Sequence, residues 1–388
     1  MKIRSLLFSA ICLLALGTSF ISCSDDDNDS KRDDSGSKVA LSQNRVFILN
    51  EGSLNLNNAN ISFYDPDKTI DFIADIFQKQ NNAKLGDTGQ DMIVYNDYIY
   101  VIVSGSKYIT RLNAAGVEQQ RFAFSSSEGS PRYMTADDGY IYVTQYGGKV
   151  SKLNANTLER VKTFEGGKNL EGIAEEDGLL YVANCYTVTE TGAYEYFNEV
   201  FVIDANTMEL KNTLTVRRNP NKLLEKNDKI FLLASLIWGG DEGNELQVID
   251  PKNNNQVTSI TAATHMAASE NTLYLINSDT DYSSYPYTTV NTFFTYNIST
   301  KQLSEVNFLK NAPEELSSAS IYVMEINEKN GDIYIGTTHY VDGNGDIYRF
   351  KKDGTFVEKF DCGGQNPNNI VFLLSLIHIS EPTRLLSI

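Results

Sequence analysis

Histidine, tryptophan, cysteine and proline are all scarce in these 388 residues, at three, one, four and eight copies. The scarcity narrows the chemistry. His265 and His339, the two histidines within the patterned part of the chain, have no adjacent cysteine or paired carboxylate, so neither a zinc-type ligand set nor a nucleophile–base pair is readable. Cys12 lies in the N-terminal apolar run and Cys23 follows it. That leaves Cys185 and Cys362, which the repeat below puts on far sides of one ring, without metal-ligand spacing. No glycine-rich phosphate loop is present. Asp342-Gly343-Asn344-Gly345-Asp346 opens like a calcium loop but has Ile347 where the sixth-position glycine belongs. Positive charge is short too: 33 Lys and Arg against 50 Asp and Glu give a formal charge of −17, which disfavours nucleic acid. The apolar run from Ser5 to Phe20 is short for a membrane span. The expectation is a protein that is not an enzyme, holds no metal or covalent cofactor and binds no nucleic acid.

What is present begins with a targeting segment. Lys2 and Arg4 precede the apolar run, as in a signal peptide covering residues 1–22. Phe20-Ile21-Ser22-Cys23 resembles the lipobox of bacterial lipoproteins, which implies lipidation of Cys23 as the mature N-terminus and membrane association through that anchor only. The following Ser24-Asp25-Asp26-Asp27-Asn28-Asp29 resembles the surface-export signal of Bacteroidota lipoproteins. Residues 23–40 offer little to bury and are expected to form an acidic, disordered tether.

From there a β-rich phrase with an aromatic centre recurs seven times. Its anchors are Phe47, Tyr100, Tyr142, Tyr181, Phe231, Tyr274 and Tyr334, spaced roughly 40 to 60 residues apart, the span of a four-stranded propeller blade. Polar pairs such as Asn96-Asp97, Asp138-Gly139, Asp177-Gly178 and Asn227-Asp228 precede the anchors and supply the left-handed angles of tight hairpins. A third strand, an Asx-type turn and a fourth strand follow. The first unit lacks an innermost strand, and Asn366-Pro367-Asn368-Asn369-Ile370 near the far end mirrors Asn219-Pro220-Asn221-Lys222-Leu223, which opens the fifth unit. The pattern predicts an all-β, seven-bladed β-propeller over residues 41–373, closed by a C-terminal strand that completes blade one. Residues 374–388 break the pattern; Leu376 to Arg384 resembles a translated sequencing adapter, so this tail is expected to be non-native and His378 to carry no function.

Tyr142-Val143-Thr144 and Tyr181-Val182-Ala183-Asn184, with the Pro-Asn strand openings, resemble the YVTN-type propellers from about Leu41 to Phe372. Asn50-Glu51-Gly52, Lys84 to Met92 and Gly129-Ser130-Pro131-Arg132-Tyr133 resemble a subfamily of Bacteroidota surface propellers that includes vitamin B12-capturing lipoproteins. The resemblance implies an outer-membrane lipoprotein facing the cell exterior that binds cobalamin or another corrinoid for a TonB-dependent outer-membrane transporter. The alternative is a propeller that binds a glycan or a protein.

The turn pattern also selects a face. Turns between strands one and two, and three and four, are short and polar. The connections between strands two and three lie opposite, and most are long: 50–60, 184–198, 235–244, 277–290 and 337–345. They carry Tyr186, Tyr194, Tyr196, Trp238, Tyr282, Tyr285 and Tyr287, with Tyr146 on a shorter one. Inner strands open on the same face and bring Gln90, Asp91, Arg132, Tyr133, Glu171, Asn221, Lys222, His265 and Asn368 to the channel mouth. Such a ring of donors and acceptors suits a ligand rich in amides. The residues expected to bind ligand are Gln90, Asp91, Arg132, Tyr133, Tyr146, Tyr186, Asn221, Trp238, His265 and Asn368, with His265 a candidate to approach a cobalt ion.

Overall fold

A computed structural model describes residues 32–237 and 239–373. Within them seven antiparallel sheets follow one another along the chain, six of four strands and one of three, in the predicted propeller arrangement. The inner strands are Gly89–Tyr95, Pro131–Asp137, Asn169–Glu176, Pro220–Glu225, His265–Ser269 and Ile321–Ile326 for blades two to seven. Pro367–Leu373 is the inner strand of blade one. It pairs with Arg45–Asn50 through Arg45↔Leu373, Phe47↔Val371 and Leu49↔Asn369, so the two ends of the propeller close one sheet.

The recurring aromatic sits on the second strand because that strand is covered on both faces. Phe47, Tyr100, Tyr142, Tyr181, Phe231 and Tyr334 are buried; Tyr274 is half-buried, edge-on to Phe308. The hydroxyl explains the preference for tyrosine. Tyr100 donates to the Ala155 carbonyl at 2.8 Å, Tyr142 to the Ala205 carbonyl at 3.3 Å and Tyr181 to Asn255 Oδ1 at 2.6 Å, each in the strand-three-to-four turn of the next blade. Blades two, three and four are thus each tied to the next by a satisfied polar contact, whereas the Tyr334 hydroxyl of blade seven is buried without a partner. Phe47 has no hydroxyl, and in blade one Arg45 takes over, donating to the Ala114 carbonyl at 2.7 Å.

That substitution explains a departure from expectation. Part of the segment expected as a disordered tether is folded onto the blades. Asp34 receives the buried Arg45 guanidinium at 2.5 and 2.8 Å, Asn113 donates to the Ser35 carbonyl at 2.9 Å, and the Lys38 N–H donates to Gln80 at 2.7 Å. A guanidinium this buried requires a counter-charge, and residues 32–40 provide it. Blade one departs a second time: its expected fourth strand shrinks to a bridge between Phe63 and Ile73, followed by a short helix, Ile76–Asn81, whose Ile76 and Phe77 fill the core beside Phe47. Asp75 caps that helix by accepting the Gln78 N–H at 2.8 Å.

The hairpin pairs behave as predicted. Asn96 and Asp97, and Asn227 and Asp228, all take positive φ, the conformation of tight two-residue turns. Two of the expected long loops are largely not loops. In blade four the ladder continues to Val188↔Tyr194 and in blade six to Asp281↔Thr288, so both rise as β-arms with short tips. Their runs of Tyr, Thr and Val favour extended pairing over coil. Cys185 and Cys362 are buried free thiols. No helix among the described residues is long and apolar enough to cross a membrane. The signal segment, Cys23 and residues 374–388 lie outside the described residues.

Candidate functional site

Seven inner strands converging on one axis leave a cavity of about 410 Å³, open on the face of the arms. Gln90, Asp91, Arg132, Tyr133, Asn221, His265 and Asn368 all line it, so seven of the ten predicted ligand residues meet in one space. Lys222, noted with them, lines it too. Tyr146 and Tyr186 stand just outside its wall. The Arg132 guanidinium lies 4.7 Å from the Tyr146 ring centre, and Tyr146 packs edge-on to Tyr186 at 5.8 Å. Tyr186, Tyr194 and Tyr196 then continue as one aromatic cluster up the blade-four arm. Trp238 lies outside the described residues.

The wall is not uniform. On the side of blades two to four the polar groups satisfy one another. Arg132 Nε donates to Glu171 at 3.0 Å and its Nη1 to Gln90, while Tyr146 donates its hydroxyl to the other Glu171 oxygen. The Asp91 carboxylate accepts from the Met134 N–H at 2.8 Å, the Asn369 amide at 2.9 Å and the Met92 N–H at 3.0 Å. Burial nevertheless pushes Asp91 up to about 6, against those donors and the charge of Lys222.

On the side of blades five to seven Asn221 donates to Ser235 and Tyr322 to Glu51, and the remaining groups are left open. Asn368 spends its amide hydrogens on the Gly89 and Gln90 carbonyls at 2.8 and 3.1 Å, and its Oδ1 is buried with no partner. Lys222 and Glu325 form no direct hydrogen bond or ion pair, although the lysine charge acts on Asp91, Glu325 and His265 across the cavity. Burial pushes Glu325 up to about 7. Burial, reinforced by Lys222, holds His265 down at about 3, so its ring is neutral near pH 7. Its Nδ1 lies 3.0 Å from the Thr264 hydroxyl, which is also within reach of the Ile276 carbonyl and the Ser278 N–H, and its Nε2 makes no hydrogen bond; when Nδ1 donates to that hydroxyl, Nε2 is an acceptor.

Glu51, Tyr322, Glu325, Asn369 and Ser235 also line the cavity and were not among the predicted ligand residues. Tyr322 donates to Glu51 from the opposite side of the closing strand, and burial raises the Glu51 carboxyl above its ordinary range. The missed signal was available: the rule that inner strands open toward the mouth applies to Ile321–Ile326 as well, but that strand begins without the polar opening of its siblings. Around the mouth the loops and arms expose Leu54, Leu56, Val188, Tyr194, Tyr285 and Tyr340, while Phe72 and Leu210 are exposed toward the face of short turns. The calcium-like loop is otherwise engaged: Asp346 meets Lys359 at 3.0 Å and His339 at 3.1 Å, and Asn344 donates to Asp361.

A family model described as a domain of unknown function, DUF5074, matches residues 44–363, from the strand Arg45–Asn50 of blade one to the end of blade seven. The chain belongs to the DUF5074 family. No curated protein matches it. Among solved structures, this DUF5074 chain is similar to a quinonprotein alcohol dehydrogenase-like protein from Bacteroides thetaiotaomicron, with 17% identity and a TM-score of 0.62 over 86% of this chain and 78% of the other. A hypothetical selenium-binding protein from Sulfolobus tokodaii aligns with a TM-score of 0.63 and 12% identity, over 86% and 94%. At such identities the likeness is one of fold, and function has to be argued from the site.

Proposed function

We propose that this DUF5074 propeller is a non-catalytic, lipid-anchored surface protein that captures a corrinoid across its channel mouth and passes it to a TonB-dependent outer-membrane transporter. One observation carries the binding part: a polar cavity with unmet hydrogen-bonding groups opens between aromatic arms, all on one face. Rigid inner strands hold the polar groups, and tyrosines above them offer contact area at low entropic cost. A cavity of about 410 Å³ is too small for a macrocycle. The ring would rest on the tyrosines of the crown while amides of its rim reach inward. The lipobox-like segment ending at Cys23 and the acidic residues after it support the surface location.

Titration with cyanocobalamin, followed by quenching of the single tryptophan and by visible absorbance, tests the reading. Tyr186→Ala and Trp238→Ala, the latter read by absorbance alone, are expected to weaken binding by about 1–3 kcal/mol each. Asp138→Ala and Asp177→Ala, in the turns of the opposite face, are expected to leave it unchanged. Absence of any cobalamin response would discard the corrinoid and turn the search to glycans and proteins.

A further inference from the structure

The open half of the channel wall has a definite hydrogen-bonding composition. Beside the paired Asn221 and Ser235, it offers one cationic donor, the Lys222 ammonium, and three acceptors: the orphaned Asn368 Oδ1, the unpartnered His265 Nε2 and the Glu325 carboxyl. They come from blade five, the closing strand, blade six and blade seven, so no local turn or strand cap accounts for their meeting. Lys222 and Glu325 face the same space with opposite charge character and yet do not pair, because the inner strand of blade six lies between theirs. A gap of this kind is bridged by a group that presents an acceptor on one side and donors on the other.

We propose that the axial cavity is a subsite for a neutral carboxamide, whose carbonyl oxygen accepts from Lys222 and whose two N–H groups donate into the acceptors Asn368 Oδ1, His265 Nε2 and Glu325. A carboxylate has no hydrogen to offer those three acceptors and would face Asp91 and Glu51 as well. An ammonium group supplies the hydrogens but meets the charge of Lys222. A hydroxyl offers a single hydrogen to three acceptors. The amide matches the set in sign and brings more hydrogens than a hydroxyl, two for the three acceptors, and leaving the set unmatched is costly in a confined polar site. The proposal rests on the mouth being the ligand-binding face, and it states which chemical group enters deepest.

The test uses the smallest probe that carries the group. Saturation-transfer NMR on the full chain is run with propionamide, and with propionate and 1-propanol as matched controls. Propionamide is expected to show saturation transfer at millimolar concentration, and the controls little or none. Lys222→Met should weaken the propionamide signal on the order of tenfold, the worth of one charged hydrogen bond, and Glu325→Leu should weaken it as well. Equal responses from the three probes on the unaltered chain, which needs no variant to fold, would overturn the proposal; so would the absence of any response. Propionamide binding without cobalamin binding would keep the amide subsite and discard the corrinoid. Cobalamin binding without propionamide binding would keep the corrinoid and discard the subsite.

Discussion

The two halves of the channel wall are built from equivalent positions of the same repeat and are put to opposite use. In blades two to four the side chains at the mouth close on each other: Arg132 with Glu171 and Gln90, Tyr146 with Glu171, Asp91 with two backbone N–H groups and Asn369. In blades five to seven and the closing strand, Lys222, His265, Glu325 and Asn368 keep a functional atom free. Pairing fixes the relative position of neighbouring blades, and openness leaves capacity for something that is not part of the protein. A fully paired channel would be a structural plug, and a fully open one would carry several half-buried charges without compensation.

The strand Pro367–Leu373 is the part both halves share. It closes the ring, buries Ile370 and Leu373, supplies Asn369 to the paired side and Asn368 to the open side. Deleting residues 366–388 is therefore expected to have the largest effect: two exposed sheet edges, loss of a cooperative thermal transition and aggregation in place of refolding. Deletion of residues 374–388 alone is expected to leave the transition within a few degrees of the parent, which circular dichroism melting would show.

The next effect separates the halves. Arg132→Ala leaves the Glu171 carboxylate, whose side chain is only 7% exposed, with a single remaining donor. The expected cost is about 3–5 kcal/mol in urea unfolding, since it strands a buried charge. Arg132, expected from sequence to contact ligand, is also tied into the fold through Glu171 and Gln90. Lys222→Met, one position further along its inner strand than the counterpart of Arg132, breaks no direct contact and should cost about 1 kcal/mol or less. Similar losses for both variants would mean that the open half is not open.

The blade count and closure were legible because they rest on local chemistry repeated seven times: an aromatic in an apolar run, an Asn or Asp turn before it, and a Pro-Asn opening shared by Pro220 and Pro367. The convergence of Gln90, Asn221 and His265 was legible for the same reason, since a propeller brings every inner-strand start to one axis. What could not be read is which of those groups are already taken. Arg132 finds Glu171 across a blade boundary, and Glu51 finds Tyr322 across the closing strand, through side-chain reach rather than sequence spacing. Nor could the folding of residues 32–40 be anticipated, because it answers to one arginine, Arg45, whose burial is a property of the finished ring.

The smallest expected effect is a pH dependence that belongs to the open half. Glu325 sits at about 7 in the folded chain, and Asp91 at about 6, both raised by burial from ordinary carboxylate values. A raised carboxylate binds more protons in the folded state than in the unfolded state between the two values. Stability attributable to these groups is therefore greatest on the acid side and falls as pH rises from about 5 to 7. Lys222 opposes the shift at both groups by favouring their charged forms. Urea midpoints at pH 5.5 and pH 8 should thus show the parent losing about 1–3 kcal/mol at the higher pH through the pair. Glu325→Gln removes the larger contributor and keeps the shape, so its stability should change less between the two pH values and exceed the parent's at pH 8. Lys222→Met should do the opposite and steepen the loss, because both carboxyls then ionise without a nearby positive charge. Arg132→Lys, on the paired side, keeps its charge beside Glu171 and should run parallel to the parent. If all four profiles are parallel, the open half carries no proton-linked strain, and the contrast between the two walls is one of hydrogen bonding alone.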